Sequence, residues 1–318
     1  MNAEHDAGHA EPAPPAVVAA VDGSPAALAA ATWAAAEADL RRVPLRLVHA
    51  CVPPHFFRPA PTRLHRACLS ALAEQGERAL VEAAAAVTAA HPDLEVTREI
   101  RTGSAPVVVI EAAGTALMVV TGARGLGGFP GLLVGSVSAA VAAHSPCPVV
   151  VVRGEPRRGG PVVVGVDGSA AGDTALGLAF AEAELRGAPL VAVRAFGDNG
   201  FTTLGPPPLL PADWSGLATD ELRLLRQWLD RHAPRHPGVD ARAVVAQAHP
   251  RDALLRQAEH AQLVFVGTRG IHLLPGSGLG ATSSALLHRA PCPVAVVPVA
   301  PTRPADHKSR DTSDLGPR

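Results

Sequence analysis

Gly122-x2-Gly125-x9-Gly135-Ser136-Val137-Ser138 lies between an apolar run, Leu117–Thr121, and a stretch of helical spacing that ends near His144. Glycines let a backbone approach a ligand closely and adopt positive φ. A helix starting at Ser136 would aim free N–H groups and the positive end of its dipole at the loop before it, an arrangement suited to a phosphate chain. Ser136 and Ser138 add hydroxyls in the first turn, and Arg124 supplies charge. Val21-Asp22-Gly23-Ser24 closes an earlier valine run. Asp22 there either bonds its own Asp-Gly turn or accepts from the adenine or ribose edge of a nucleotide. The single lysine is Lys308, near the C-terminus. No lysine is therefore placed for a Walker-type phosphate loop or a core Schiff base. Any phosphate must be held by backbone N–H groups, hydroxyls and arginine.

The same anchors return 145 residues later (166 − 21). Val166-Asp167-Gly168-Ser169 repeats the first turn, and Gly267-Thr268-Arg269-Gly270 repeats the start of the loop. Pro146-Cys147-Pro148-Val149 becomes Pro291-Cys292-Pro293-Val294. A period of this length is a whole domain rather than a solenoid unit. The copies differ where chemistry would occur. Half two reads Gly280-Ala281-Thr282-Ser283, so Ser283 matches Ser138 but the Ser136 hydroxyl has become a methyl. Thr282, one position further along, is expected to point elsewhere. Loss of a hydrogen bond to a charged phosphate costs about 1.5–3 kcal/mol, roughly 10- to 150-fold in affinity. Site one is thus expected to bind more tightly than site two.

The elements that must position these residues alternate. Half one reads as strands Val17–Val21, Leu45–Ala50, Leu94–Arg101, Leu117–Thr121 and Val149–Val152. Helices are expected from Ser24 to about Leu40, over about 63–90, from Ser104 to about Ala113, and from Ser136 to about His144. Half two repeats them, with strands near 161–166, 190–195, 239–246, 263–266 and 294–298. Its helices fall near 170–186, 213–233, 251–260 and 281–289. Such alternation implies an α/β fold, with two tandem open parallel five-stranded sheets and helices on both faces. Domains are expected at 16–153 and 161–299, joined by a linker at 154–160, with disordered tails at 1–15 and 300–318. Ligands of such sheets bind beyond the carboxyl ends of the strands near the switch point. The Asp-Gly turn and the glycine loop both end there.

Composition limits the alternatives. The formal net charge is −1, tyrosine is absent and aromatics make up 3%. These values leave no electrostatic or stacking footprint for nucleic acid. No basic n-region or long apolar span suggests secretion or a membrane, so a cytoplasmic location is expected. Cysteines 51, 68, 147 and 292 have no CxxC spacing and read as small apolar residues. The histidines, His272 in the second loop included, form no metal-ligand set.

The turn, the glycine spacing and the Pro-Cys-Pro-Val motif together resemble a tandem universal stress protein of the UspA type, over about 16–300. The resemblance implies a Rossmann-like pseudo-dimer within one chain, paired through Val149–Val152 and Val294–Val297, with a homodimer as a further possibility. It also implies a stress-response module that binds ATP, with Mg²⁺ carried on the phosphates, and no assigned catalytic residue. Asp22 and the Ala50 backbone would meet adenine. Gly122 and Gly125 would follow the ribose and α-phosphate, and Gly135, Ser136 and Ser138 would hold the phosphates. The half-two counterparts are Asp167, Ala195, Gly267, Gly270, Gly280 and Ser283. A slow ATPase of the same fold and a partner-binding module with empty sites are the alternatives.

Overall fold

The structure, a computed structural model, describes residues 15–52, 63–126, 134–154, 159–196, 214–270 and 278–299. The expected tails (Pro15 apart), the middle of each glycine loop with His272, and most of the linker lie outside the described residues. The strands are β1 Ala16–Ala20, β2 Leu45–Cys51, β3 Val96–Thr102, β4 Ala116–Gly122 and β5 Val149–Val152 in half one. Half two has β6 Val162–Gly165, β7 Leu190–Phe196, β8 Ala241–Gln247, β9 Leu263–Gly267 and β10 Val294–Val297. The helices are α1 Pro25–Arg41, α2 Arg63–Ala90, α3 Ala105–Ala113 and α4 Ser136–His144, then α5 Ala170–Arg186, α6 Trp214–His232, α7 Pro250–Ala258 and α8 Ala281–Arg289.

Most expected bounds agree within a residue or two, and the differences have local causes. Leu94 is in a turn rather than in β3, because its N–H donates to the His91 carbonyl at 3.2 Å. Val239 likewise donates to the His236 carbonyl and stays outside β8. Helix α1 begins where it does because the Ser24 hydroxyl accepts from the Ala27 N–H and Pro25 occupies the first turn.

The two expected five-stranded sheets form one ten-stranded sheet, ordered β3-β2-β1-β4-β5-β10-β9-β6-β7-β8. Within each half every pair is parallel. The join is antiparallel, with Val294 opposite Val151, Ala295 opposite Val150 and Val296 opposite Val149. Every residue of β5 and β10 is buried, as expected for strands covered by helices on both faces. Helices α1, α2, α5 and α6 pack on one face through residues such as Ala34, Leu80, Leu176 and Leu225. Helices α3, α4, α7 and α8 cover the other through Val108, Val141, Leu254 and Leu286. The chain passes from β5 to half two through Gly154, where φ is +63° and a Cβ would lie 2.2 Å from the Pro291 carbonyl oxygen. Only glycine fits that approach. Cys51, Cys147 and Cys292 are buried and unbridged, and burial pushes the Cys51 and Cys147 thiols up.

A buried ion quartet closes the join on the α1/α5 side. Glu37 and Glu182 are 1% and 0% exposed. Arg41 bonds Glu37 at 2.5 Å and also reaches Glu182, while Arg186 bonds both Glu182 and Glu37. The Arg186 guanidinium lies 5.6 Å from the centre of the Trp33 ring, an attractive placement. Burial, reinforced by the Glu182 charge and opposed by Arg186 and Arg41, raises Glu37 to about 6. The folded chain therefore holds the Glu37 proton more tightly than the unfolded chain does. The stability this group contributes is fully present below 4.5 and lost as pH rises through about 6. Urea denaturation should show this fall in the parent relative to Glu37→Gln; parallel pH profiles would contradict it. Glu182→Ala takes one carboxylate from Arg41 and Arg186, which keep Glu37 between them, and should cost about 1–3 kcal/mol at neutral pH, as measured by the same denaturation.

Candidate functional site

The chain leaves β1 toward β2 on one side, and β4 lies on the other, so the switch point falls between β1 and β4. Asp22 stands at that opening. Its Oδ1 accepts from the Ser24 N–H at 2.9 Å and its Oδ2 from the Leu126 N–H at 2.8 Å. Gly23 sits between them at φ +86°. The carboxylate thus closes its own turn and ties that turn to the glycine loop, while lining the cleft. The turn reading accounts for its bond to Ser24.

The loop is held at both described ends. Ala123 N–H donates to the Val152 carbonyl at 3.0 Å, and Gly135 N–H donates to the Ala123 carbonyl at 2.8 Å. The Ser138 hydroxyl donates to the Gly122 carbonyl at 2.7 Å. Its proton is therefore committed to the fold, which leaves its oxygen as an acceptor. Ser136 is exposed at the first turn of α4. The N–H groups of Ser136, Val137 and Ser138 have no acceptor within the helix, and all three residues line the cleft with Arg124, Gly125 and Gly135. Ala50, Val48 and Val109 form its apolar wall, and the cleft has a volume of about 450 Å³.

Two of the glycines have a reason that sequence reasoning missed. A Cβ on Gly122 would lie 2.6 Å from the Ala26 carbonyl oxygen, and one on Gly125 would lie 2.3 Å from Asp22 Oδ2. They let α1 and the Asp22 carboxylate press against the loop. Gly135 differs, since its Cβ would meet nothing closer than 3.7 Å. Its missing side chain leaves room above the start of α4.

Half two builds an equivalent cleft of about 390 Å³, lined by Asp167, Ala195, Gly267, Arg269, Gly270, Gly280 and Ser283 among others. Asp167 Oδ1 accepts from the Ser169 N–H and hydroxyl at 2.9 and 2.6 Å. Ser283 donates to the Gly267 carbonyl at 2.6 Å, as Ser138 does in half one. Thr282 is among the residues along this cleft. It places a hydroxyl-bearing residue where half one has Val137. The apolar wall is also rebuilt: Leu254 replaces Val109, and Gly165 replaces Ala20. A Cβ on Gly165 would lie 2.8 Å from Leu254 Cδ1, so the smaller residue accommodates the larger one.

Sheet order and paired clefts define a doubly wound α/β protein with two glycine-loop sites at its strand ends. The sequence model described as the universal stress protein family matches residues 15–153 and 160–298. A universal stress protein of Mycobacterium tuberculosis is 35% identical over 312 residues, covering 91% of this chain and 97% of the relative. One from Mycolicibacterium smegmatis is 36% identical over 290 residues, covering 88% and 96%. A solved universal stress protein from Archaeoglobus fulgidus shares the fold at TM-score 0.66 and 21% identity, covering 89% of this chain and 98% of that one. The chain belongs to the universal stress protein family. Among the described residues no helix is long and apolar enough to cross a membrane.

The glycines separate packing from ligand space in a testable way. Gly122→Ala should destabilise the fold by about 1–3 kcal/mol through overpacking against α1. Gly135→Ala should change stability by less than about 1 kcal/mol, the range of a cap substitution. Chemical denaturation of both variants checks this, and equal losses would contradict it.

Proposed function

We propose that the half-one cleft binds an adenine nucleotide, ATP with Mg²⁺ on its phosphates, and that this chain serves as a nucleotide-responsive stress module. The observation that carries this reading is the continuity of two unlike surfaces. An apolar wall of Val48, Ala50 and Val109 runs into a glycine loop and the open N-terminus of α4. A flat apolar base suits the first surface, and a polyanion suits the second. Arg124 supplies the cation beside the loop. The metal ion would travel with the phosphates, since no group of three His, Cys, Asp or Glu side chains converges among the described residues.

The half-two cleft is proposed as the weaker site. Ala281 removes the hydroxyl that Ser136 presents at the exposed first turn. The difference should be that of one charge-assisted hydrogen bond, at least about tenfold. Gly135→Asp and Gly280→Asp each place a carboxylate at one helix start while keeping a good cap. Calorimetric titration with Mg-ATP should show tighter binding in Gly280→Asp, which leaves half one open, than in Gly135→Asp. Equal affinities would remove the ranking, and no binding in either variant or the parent would remove the nucleotide reading.

A further inference from the structure

Among the described residues that line the half-one cleft, Thr121 carries a buried hydroxyl that the fold leaves without a partner. Thr121 is 3% exposed, and its Oγ1 is buried with no hydrogen bond among the described residues. Buried hydroxyls are nearly always paired, so an orphan needs an explanation. Thr121 lines the cleft. Its half-two equivalent, Val266, lines the other cleft and packs in the apolar core. Thr268 also has an unpartnered buried hydroxyl. It is not part of the cleft wall, and its half-one equivalent is Ala123.

Thr121 has a defined place between the two surfaces of the cleft. In the register, Val120 pairs with Ala19 and Thr121 pairs with Val151, so Thr121 stands near the carboxyl end of β4, between β1 and β5. The apolar wall of Val48 and Ala50 stands on β2, beyond β1. The start of α4 is fastened to Gly122, the next residue after Thr121, through the Ser138 hydroxyl. A nucleotide with its base on the apolar wall and its phosphates at α4 would carry its sugar across β1 and β4, toward Thr121.

We propose that Thr121 Oγ1 hydrogen-bonds a ribose hydroxyl of the nucleotide in the half-one cleft. This gives half one a preference for ribo- over deoxyribonucleotides that half two, with Val266, lacks. The inference rests on the nucleotide reading of that cleft. A threonine hydroxyl and a ribose hydroxyl are each donor and acceptor, so the pair satisfies both in either direction. A site built to bond a substrate hydroxyl discriminates against the analogue that lacks it, because the protein group is then left unpaired.

The test titrates the full chain carrying Gly280→Asp with ATP, 2′-deoxy-ATP and 3′-deoxy-ATP. With Thr121 present, ATP should bind about tenfold more tightly than one of the two deoxy analogues. Thr121→Val, which keeps the shape, should bring ATP to that analogue's affinity and erase the difference, while Thr121→Ser should restore it. Val266→Thr beside Gly135→Asp should create the same preference in half two. Parent-like ATP affinity and intact discrimination in Thr121→Val would overturn the role of Thr121 alone. Failure of the Thr121-bearing chain to bind any of the three nucleotides would overturn the nucleotide reading beneath it.

Discussion

Two valine-rich strands, β5 and β10, meet antiparallel at the centre of the sheet, and either one alone would be an unpaired apolar edge. Exposed edges of that kind invite aggregation. Pairing Val149–Val151 with Val294–Val296 removes both edges at once and makes two domains into one sheet. The clefts depend on this join directly. Ala123 N–H is bonded to the Val152 carbonyl and Thr268 N–H to the Val297 carbonyl, so each glycine loop hangs from the last residue of a joining strand. The Glu37–Arg41–Glu182–Arg186 quartet secures the same join from one face. Its helices, α1 and α5, start immediately after Ser24 and Ser169. Each thus links a cleft at one end to the shared junction at the other.

Much of this was legible because the repeat anchors fall at strand ends. Apolar runs such as Leu117–Thr121 are short and uninterrupted, which distinguishes strands buried on both faces from the alanine-rich helices between them. Asp22, Gly122, Gly135 and Ser136 gather in one cleft because the switch point lies between β1 and β4. The quartet was legible in principle, since Glu37 with Arg41 and Glu182 with Arg186 keep both helical spacing and the repeat offset. That the four charges share one buried spot depends on how α1 and α5 pack across the join, which no local pattern encodes. The packing role of Gly122 and Gly125 was hidden for the same reason.

The two clefts share a backbone and differ in chemistry. The Ser24 hydroxyl donates to the Arg124 carbonyl, whereas the Ser169 hydroxyl donates to Asp167 Oδ1. The wall pair Ala20 and Val109 becomes Gly165 and Leu254, a swap that keeps volume while moving the surface. Hydroxyl-bearing residues shift from positions 136 and 121 in half one to 282 in half two. Strand pairing tolerates such changes because the join is made of backbone bonds between Val149–Val151 and Val294–Val296, none of which is altered by the side chains of the clefts. Duplication has therefore kept the scaffold strictly and the sites loosely.

The central claim is that the half-one cleft holds an adenine nucleotide. The most direct measurement is mass spectrometry of the small molecules released when freshly purified protein, incubated with Mg-ATP and then desalted, is denatured. The account predicts adenine nucleotide released in proportion to chain, and much less from Gly135→Asp. Release of none from the parent, or of equal amounts from both, would contradict it.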